Sequence, residues 1–432
     1  MIKGTFPIER FQNIETPFYY YDTRVLRETL DTIREELRHN PEYEMHYAIK
    51  ANANPKILRI ISAAGFGADC VSGGEVRAAI EAGFPASKVV FAGVGKSDRE
   101  IDLALRHSIA CFNVESLEEL QVINERAASL GTIAPVAFRI NPNVDACTHA
   151  KITTGLSENK FGIDLGDTER AIRTAHSLAH IRYEGLHFHI GSQILTDAPF
   201  RRLCHRINEL QERLERQGIH TPGINVGGGL GISYEHPDDE SIPRFEPYFD
   251  TFRRHLALRP GQQLHFELGR SVVGQCGTLI ARVLYVKQGT TRRFLILDAG
   301  MTELVRPAMY GARHAVQRIA LPTDAAPAAD APRCTYDVVG RLRQRPTPAP
   351  LPARRPHRHP LRRSLWRKHG LHLQPAPPAP HHRAVSEPEQ PVKSKNPTQR
   401  APHARSYFLS KTPKHPRAAP PVPKEKQLSG AS

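Results

Sequence analysis

Polar residues that could perform chemistry lie at or just beyond the C-terminal ends of short apolar runs at several points in the first 270 residues. They are Lys50, Asp69, Arg139, His189, the glycine run of Gly227, Gly228 and Gly229, then Glu267 and Arg270. Each has an ordinary explanation when taken alone. A lysine after a strand is usually solvated, a glycine run is usually a turn, and Glu267 could simply pair with Arg270. The position that they share, at or just beyond the C-terminal end of an apolar run, is harder to explain by chance.

Together these side chains supply what a pyridoxal phosphate site requires. The Lys50 amine could bind the cofactor aldehyde covalently, and burial beside cationic groups is expected to lower its pKa. A glycine-rich loop lets backbone N–H groups approach a phosphate. Glu267 could keep the pyridine nitrogen protonated, so that the ring accepts electrons, and the flat imidazole of His189 could stack on the ring. The sequence therefore predicts pyridoxal 5'-phosphate as cofactor and no metal site.

Eight apolar runs alternate with amphipathic segments in the same part of the chain. The predicted strands are 45–49, 67–71, 89–94, 110–114, 136–140, 185–190, 223–226 and 263–268. The clearest helix is predicted at 198–217, where apolar residues recur three and four apart and Gly218 can end the helix. This alternation predicts an α/β fold, either a (β/α)8 TIM-like barrel or a doubly wound sheet. The polar residues at the strand ends favour the barrel, whose active sites lie at that rim.

The composition changes sharply after Gly340. The whole chain has 59 basic and 44 acidic residues, but residues 341–432 alone hold 20 basic and 3 acidic ones. The first 340 residues are therefore close to neutral. The last 92 hold 19 of the 36 prolines. Such a segment buries too little apolar surface to offset its conformational entropy, so disorder is expected there.

The cysteines and the hydropathy favour a cytoplasmic protein that does not enter membranes. The six cysteines are scattered, no CxxC pair occurs, and no signal peptide is recognisable. Reduced thiols in the cytoplasm are the expectation. No apolar run is long enough to span a membrane.

Four segments of the sequence resemble the fold-type III pyridoxal phosphate decarboxylases, and among these the diaminopimelate decarboxylase family most closely. The segments are Tyr-Ala-Ile-Lys-Ala-Asn ending at Asn52, His-Phe-His-Ile-Gly-Ser-Gln ending at Gln193, Gly-Gly-Gly-Leu-Gly ending at Gly231, and Glu-Leu-Gly-Arg ending at Arg270. They occur in the family's order, and the resemblance extends from about Thr16 to Gly340. It implies a barrel with a second, β-sandwich or β-barrel domain.

The resemblance divides the chain into four parts. Residues 1–25 would form an N-terminal segment that partly joins the β-domain, and 26–270 the cofactor-binding barrel. Residues 271–340 would form a β-domain that lacks its C-terminal part, followed by the basic tail at 341–432.

The resemblance also implies a role for each site residue. Lys50 would carry the cofactor, His189 would stack on its ring, and Glu267 would bond the pyridine nitrogen. The phosphate would be held by Ser192, by the glycine run and by the backbone of Gly269 and Arg270. Asp69 and Arg139 belong to the same cofactor site. The substrate would be held by Arg270, Arg306 and Tyr310.

Two guanidinium groups suit a substrate whose far end carries its own carboxylate. The implied reaction is decarboxylation of meso-2,6-diaminopimelate to L-lysine and carbon dioxide. A decarboxylase for ornithine or arginine would require acidic groups in place of the arginines. Carboxynorspermidine, ornithine and arginine decarboxylases are the related alternatives. An alternative of another class is a barrel whose function resides in a basic, nucleic-acid-binding tail, which we do not expect.

The family completes its site with a Cys-acid-Ser segment that follows Asp-Val-Val-Gly-Pro and crosses a homodimer interface. Here Asp337 to Gly340 match, but Arg341 follows. The tail could be a genuine basic arm, a solvated linker or translation in the wrong frame. If the codons of residues 341–344 are CGT-CTG-CGA-CAG and the Arg345 codon begins with C, reading one base later gives Val-Cys-Asp-Ser. The same shift across 362–378 permits the family's Gly-Ala-Tyr-Gly segment, and Trp366 followed by Arg367 requires its second glycine. We therefore expect a frameshift after Gly340, with impaired activity.

Overall fold

Eight parallel strands form a closed barrel in the computed structural model, which describes residues 6–145, 160–319, 333–340, 347–352 and 365–369. The strands of the whole chain are β1 (Phe18–Tyr21), β2 (Tyr43–Ala48), β3 (Gly67–Cys70), β4 (Val89–Phe91), β5 (Cys111–Val114), β6 (Ala134–Asn141), β7 (Ile163–Asp164), β8 (Ile181–His187), β9 (Gly223–Asn225), β10 (Gln263–Leu268), β11 (Gly277–Gln288), β12 (Arg293–Leu297), β13 (Val316–Ile319), β14 (Arg333–Val339), β15 (Thr347–Pro352) and β16 (Leu365–His369).

The barrel order is β5-β4-β3-β2-β10-β9-β8-β6, and β5 pairs with β6 to close the ring. All of these pairings are parallel. Each predicted strand corresponds to one barrel strand, so the predicted (β/α)8 barrel is confirmed. The doubly wound alternative is excluded because such a sheet would leave β5 and β6 at open edges.

Helices separate the barrel strands. The helices are α1 (Ile8–Phe11), α2 (Thr23–Arg38), α3 (Pro55–Ala63), α4 (Gly73–Glu81), α5 (Asp98–His107), α6 (Leu117–Ser129), α7 (Thr168–Ser177), α8 (Ala198–Arg216), α9 (Phe245–His255), α10 (Arg270–Val273) and α11 (Arg306–Tyr310). Helix α8 matches the predicted helix to within one residue and buries the predicted apolar stripe. It ends before Gly218, whose φ of +69° a glycine adopts without strain.

The packing of α9 against β10 determines which way the Glu267 side chain points. The rings of Tyr248, Phe249 and Phe252 lie 5.8, 4.9 and 5.2 Å from that of Phe266, each near edge-to-face. Neighbouring side chains on a strand point to opposite faces. Because Phe266 faces the helix layer, Glu267 must face the barrel interior.

The second sheet has the strand order β13-β16-β11-β12-β14-β15, with β1 also paired to β11. This sheet confirms the predicted second, β-rich domain. No regular structure was expected after Gly340, yet β15 and β16 lie there. Strand β15 contains three prolines, and it occupies a sheet edge, where a missing N–H donor is tolerated. The other residues after Gly340 lie outside the described part of the chain.

Within the described residues, no helix combines the length and apolarity that a membrane crossing requires.

Candidate active site

The predicted site residues lie at one end of the barrel. Lys50 and His189 each stand two residues beyond their strands, β2 and β8. Asp69 and Glu267 are the second-last residues of β3 and β10, while Arg139 lies near the end of β6. Because the strands are parallel, their carboxyl ends share one rim, and the structure brings these side chains together there.

Lys50 forms an ion pair with a buried carboxylate. Its Nζ lies 2.8 Å from Oδ2 of Asp69, whose side chain is completely buried. Burial by itself lowers the pKa of Lys50, but the carboxylates of Asp69 and Glu267 outweigh burial and raise the pKa. The expectation of a lowered lysine pKa was therefore wrong for this state of the chain. It assumed cationic neighbours, whereas the barrel places two acidic groups beside the amine.

Glu267 is held as an ionised carboxylate by three neighbours that the sequence argument did not identify. Its Oε2 accepts a hydrogen bond from His187 Nε2 at 3.0 Å. Its Oε1 accepts from Asn225 at 2.9 Å and from Asn113 at 3.2 Å. Burial raises the pKa of Glu267, yet attraction by His187 and Lys50 outweighs burial and holds the pKa well below its usual range. A carboxylate in this state could keep a pyridine nitrogen protonated.

His189 and the glycine run lie against each other. The backbone N–H of Gly228 points to Nδ1 of His189 at 3.4 Å. Desolvation, followed by repulsion from Arg139 and Lys50, lowers the pKa of His189 well below its usual value. The imidazole is therefore neutral, which suits a ring that stacks on another ring.

The glycine run approaches other backbone groups too closely for any side chain. A Cβ on Gly228 would lie 2.0 Å from the carbonyl oxygen of Glu267. A Cβ on Gly227 would lie 2.4 Å from the carbonyl oxygen of Phe188, and Gly227 also has a φ of +69°. The run thus forms a backbone surface without side chains next to the C-terminal end of β10, as a phosphate-binding loop requires.

Two arginines meet at one tyrosine. Arg270 donates from Nη1 to the Tyr234 hydroxyl at 2.6 Å and from Nη2 to Ser192 Oγ at 3.0 Å. The guanidinium of Arg306 lies 4.0 Å from the centre of the Tyr234 ring and reaches His314 at 3.2 Å. Burial and then repulsion from Arg270 lower the pKa of Arg306. Tyr310 lies one turn beyond Arg306 on α11.

Neither arginine of this pair has an acidic partner among the described residues. The ion pairs found there include neither Arg270 nor Arg306. The Nε of Arg306 is buried and has no hydrogen-bond acceptor within the same described part of the chain. A buried guanidinium normally meets an anion, so the chemistry of this pair suits a carboxylate or phosphate.

Arg139 belongs to a second buried charge network. Its Nη1 lies 2.8 Å from Oε1 of Glu115, and both side chains are buried. The other oxygen of Glu115 accepts from the backbone N–H of Gly162 at 2.9 Å. Glu119 accepts from the N–H of Glu115 and also binds Lys96 at 2.6 Å. Arg139 is therefore fixed in orientation by its own carboxylate partner, and its charge is close enough to lower the pKa of His189.

The three neighbours of Glu267 that were not predicted from the sequence are also polar residues at strand ends. Asn113 and Asn225 lie at the ends of β5 and β9, and His187 ends β8. All three reach Glu267, so extending the rule of polar residues at strand ends to every strand would have identified them. Tyr234 had no such signal because it lies in a loop.

Comparison with known proteins places this chain in a family. The family described as "Pyridoxal-dependent decarboxylase, pyridoxal binding domain" matches residues 24–274. A diaminopimelate decarboxylase of Bacteroides thetaiotaomicron is 59% identical over 341 residues, which make up 79% of this chain and 86% of that protein.

Solved structures agree with this assignment. Diaminopimelate decarboxylase from Helicobacter pylori, complexed with L-lysine, has a TM-score of 0.74 at 35% identity, over 84% of this chain and 89% of that one. The enzyme from M. jannaschii, in complex with L-lysine, has a TM-score of 0.72 at 31% identity, over 86% of this chain and 85% of that one. The chain therefore belongs to the pyridoxal-dependent decarboxylases, within the diaminopimelate decarboxylase family.

Proposed function

We propose that the protein is a carboxy-lyase that converts meso-2,6-diaminopimelate to L-lysine and carbon dioxide with pyridoxal 5'-phosphate. The observation that carries the substrate assignment is the arginine pair, Arg270 and Arg306, which contact the same tyrosine and have no carboxylate partner among the described residues. An amino-acid substrate with a carboxylate at each end would supply that partner. The names of the relatives and the lysine bound in two of them support the same substrate.

The residues at the barrel rim fit the cofactor. Gly228 offers bare backbone where a phosphate could lie, and Glu267 is ionised where a protonated pyridine nitrogen would need a partner. His189 is neutral and could stack on the ring, while Lys50 supplies the amine that would bind the aldehyde. One oxygen of the buried Asp69 carboxylate has no hydrogen-bond partner within the described residues, so it can accept a hydrogen bond from a bound cofactor or substrate.

The side chains of the site then have distinct proposed roles in the reaction. When bound, the cofactor supplies an electron sink for the electron pair released as carbon dioxide leaves. Glu267 maintains the positive charge that makes this sink effective. Asp69 keeps the Lys50 amine protonated whenever that amine is released, so Lys50 can hold a proton at the rim of the barrel. Arg306, together with Tyr310, is proposed to bind the distal end of the substrate. Arg270 is proposed to face the substrate as well, and with Ser192 it also holds the phosphate side.

We infer that the intact enzyme is a cytoplasmic homodimer and that this chain lacks part of its site. The family's Cys-acid-Ser segment would follow Gly340, and the sequence there is Arg-Leu-Arg-Gln. The match of 341 residues to the Bacteroides enzyme is nearly the length of the near-neutral part of the chain, which supports the frameshift. Cys70, Cys111, Cys204 and Cys276 are free thiols, in keeping with a reducing compartment.

The test measures turnover of meso-diaminopimelate, carboxynorspermidine, ornithine and arginine by the purified chain and by a chain whose frame is restored after Gly340. We expect the restored chain to favour meso-diaminopimelate by at least about 100-fold in kcat/KM, since a site built for an ionised group discriminates strongly against substrates lacking it. Preference for ornithine or arginine would overturn the substrate assignment. Equal, full turnover by both chains would overturn the proposed impairment while leaving the substrate assignment intact.

A further inference from the structure

Two histidines and a glutamate lie together at the opposite end of the barrel from the arginines and the glycine run. Glu44 and His46 are on β2, and His265 is on β10. The register pairs Glu44 with His265 and His46 with Glu267. Since paired residues of parallel strands, and residues two apart on one strand, share a face, all three point to the barrel interior with Glu267. They lie nearer the N-terminal ends of their strands than Glu267 does.

The contacts of His46 determine which of its nitrogens can accept. Its Nδ1 lies 3.2 Å from the backbone carbonyl oxygen of Lys88. A carbonyl can only accept a hydrogen bond, so Nδ1 carries the hydrogen and Nε2 presents its lone pair. That lone pair faces Nδ1 of His265 at 3.2 Å, and the same His265 nitrogen lies 3.6 Å from a carboxylate oxygen of Glu44.

This arrangement matches a metal site in its ligand types and its spacing. One ligand atom from each of the three residues lies within 4.8 Å of the other two. Zinc–nitrogen bonds of about 2.0–2.1 Å place two tetrahedral ligands roughly 3.3 Å apart. The histidine nitrogens are already at that separation. A metal-bound histidine usually donates its other ring N–H to a carbonyl or carboxylate, as His46 does here.

We propose that Glu44, His46 and His265 bind a divalent transition-metal ion of the zinc class, with a water molecule as fourth ligand. Two imidazoles and one carboxylate suit Zn²⁺ better than Mg²⁺ or Ca²⁺, which prefer oxygen ligands. The proton that His265 carries on Nδ1 moves to Nε2 or to solvent when the ion binds.

The site is open to solvent, and the ammonium group of Lys88 competes with a metal ion for Glu44. The side chains of Glu44 and His265 are 33% and 26% exposed, so an ion can enter from the N-terminal mouth. The ammonium group of Lys88 lies 3.3 Å from the second oxygen of Glu44. Lys88 therefore neutralises the carboxylate when no ion is bound, and the ion must displace this positive charge.

Gly67 makes room for the buried histidine. A Cβ on Gly67 would lie 2.3 Å from Nδ1 of His46. Because β3 has no side chain at this position, the His46 ring has room to contact both the Lys88 carbonyl and His265 on the neighbouring strand β10. A bound ion would link β2 to β10, the strands that lead to Lys50 and Glu267, and would stabilise their pairing.

Calorimetric titration of the full 432-residue chain with Zn²⁺ tests the proposal. The variants are Glu44→Gln, His265→Gln and Lys88→Gln, and the matched control is His205→Gln. His205 and His255 form another histidine pair, with ring centres 6.2 Å apart, on the surface. Because other histidines of the chain can also bind zinc, the measured quantity is the difference in equivalents bound.

We expect the wild type and His205→Gln to bind one more equivalent than Glu44→Gln and His265→Gln. Lys88→Gln should bind that equivalent several-fold more tightly, because a competing charge is gone. Co²⁺ should give the ligand-field absorption of a four-coordinate ion in the proteins that bind the additional equivalent. Glu44→Gln and His265→Gln should lack this absorption. Equal stoichiometry in all five proteins, or unchanged affinity in Lys88→Gln, would overturn the proposal.

A measurement on the wild type alone covers the case in which a variant fails to fold. Diethyl pyrocarbonate modifies accessible imidazole nitrogens, and peptide mass spectrometry locates the modified residue. Zn²⁺ should protect His265 and leave His205 modified. Equal modification of His265 with and without Zn²⁺ would show that the histidine pair is only a hydrogen-bonded pair.

Discussion

At the scale of single residues, the charges at the barrel rim are balanced in groups. Lys50 is neutralised by Asp69, and Arg139 by Glu115. Arg270 and Arg306 differ, since they contact Tyr234 and have no carboxylate partner in the described part of the chain. A charge left for a ligand to neutralise is the usual mark of a recognition site.

Replacing Arg306 by methionine should lower kcat/KM for meso-diaminopimelate by about 10- to 100-fold. The loss of a charge-assisted hydrogen bond, about 1.5–3 kcal/mol, is the physical cause. Steady-state kinetics of the frame-restored enzyme provide the measurement. The exposed Arg313, a few residues further along, gives the control variant Arg313→Met. A similar loss in the control would show that the effect is not specific to the arginine pair.

His189 predicts how the free energy of unfolding depends on pH. Its pKa in the folded chain lies well below 6.5, because burial and positive neighbours disfavour the charged ring. The unfolded chain therefore binds a proton first as the pH falls. The stability contribution of His189 is complete above pH 6.5 and is lost progressively as the pH falls below that value.

Denaturant unfolding at stepped pH values tests this expectation. The wild type should lose more stability between pH 6.5 and the folded pKa than His189→Gln does. The surface variant His39→Gln should behave as the wild type, since the His39 side chain is 67% exposed. Parallel curves for the wild type and His189→Gln would contradict the argument.

At the scale of elements, strand ends and the loops that follow them carry the chemistry, and the helix layer fixes their direction. The aromatic packing of α9 on Phe266 turns Glu267 inward, and the glycine run lies against the end of the same strand. The site therefore depends on backbone contacts as much as on side chains.

Gly228→Ala tests that dependence. Its Cβ would lie 2.0 Å from a backbone oxygen that cannot move without shifting β10. We expect a loss of about 1–3 kcal/mol in stability and weaker binding of the cofactor. Gly95→Ala is the matched control, because a Cβ there meets nothing within 4 Å. Unfolding curves and cofactor titrations by absorbance measure both effects. If Gly228→Ala kept the stability and the cofactor affinity of the wild type, the close contact between Gly228 and the backbone of β10 would be excluded.

At the scale of the whole molecule, the charge of the chain and its function belong to different parts. The formal net charge is +15, and the basic excess comes from residues 341–432. The barrel and its family resemblance lie in the near-neutral part before them. The net charge is thus no guide to what the barrel binds.

Restoring the frame after Gly340 should raise decarboxylation of meso-diaminopimelate by at least about 100-fold, since it would return the Cys-acid-Ser segment that we propose completes the site. The restored chain should also sediment as a dimer. Turnover assays, sedimentation and resequencing of the DNA around the Gly340 codon provide the measurements. A DNA sequence that confirms Arg341 to Gln344 in the given frame, together with full activity, would contradict the frameshift.

The sequence by itself determined the barrel, because the alternation of apolar runs and the polar residues at their ends both follow from local periodicity. It also located Lys50, Asp69, His189 and Glu267, since each lies at or just beyond the C-terminal end of a strand. Only the tertiary structure decided the pKa direction of Lys50, because that depends on carboxylates contributed by distant strands. The same reason applies to the hydrogen bonds around Glu267 and to the meeting of two arginines at Tyr234. Local sequence fixes where a strand ends, whereas closure of the barrel decides which strand ends face one another.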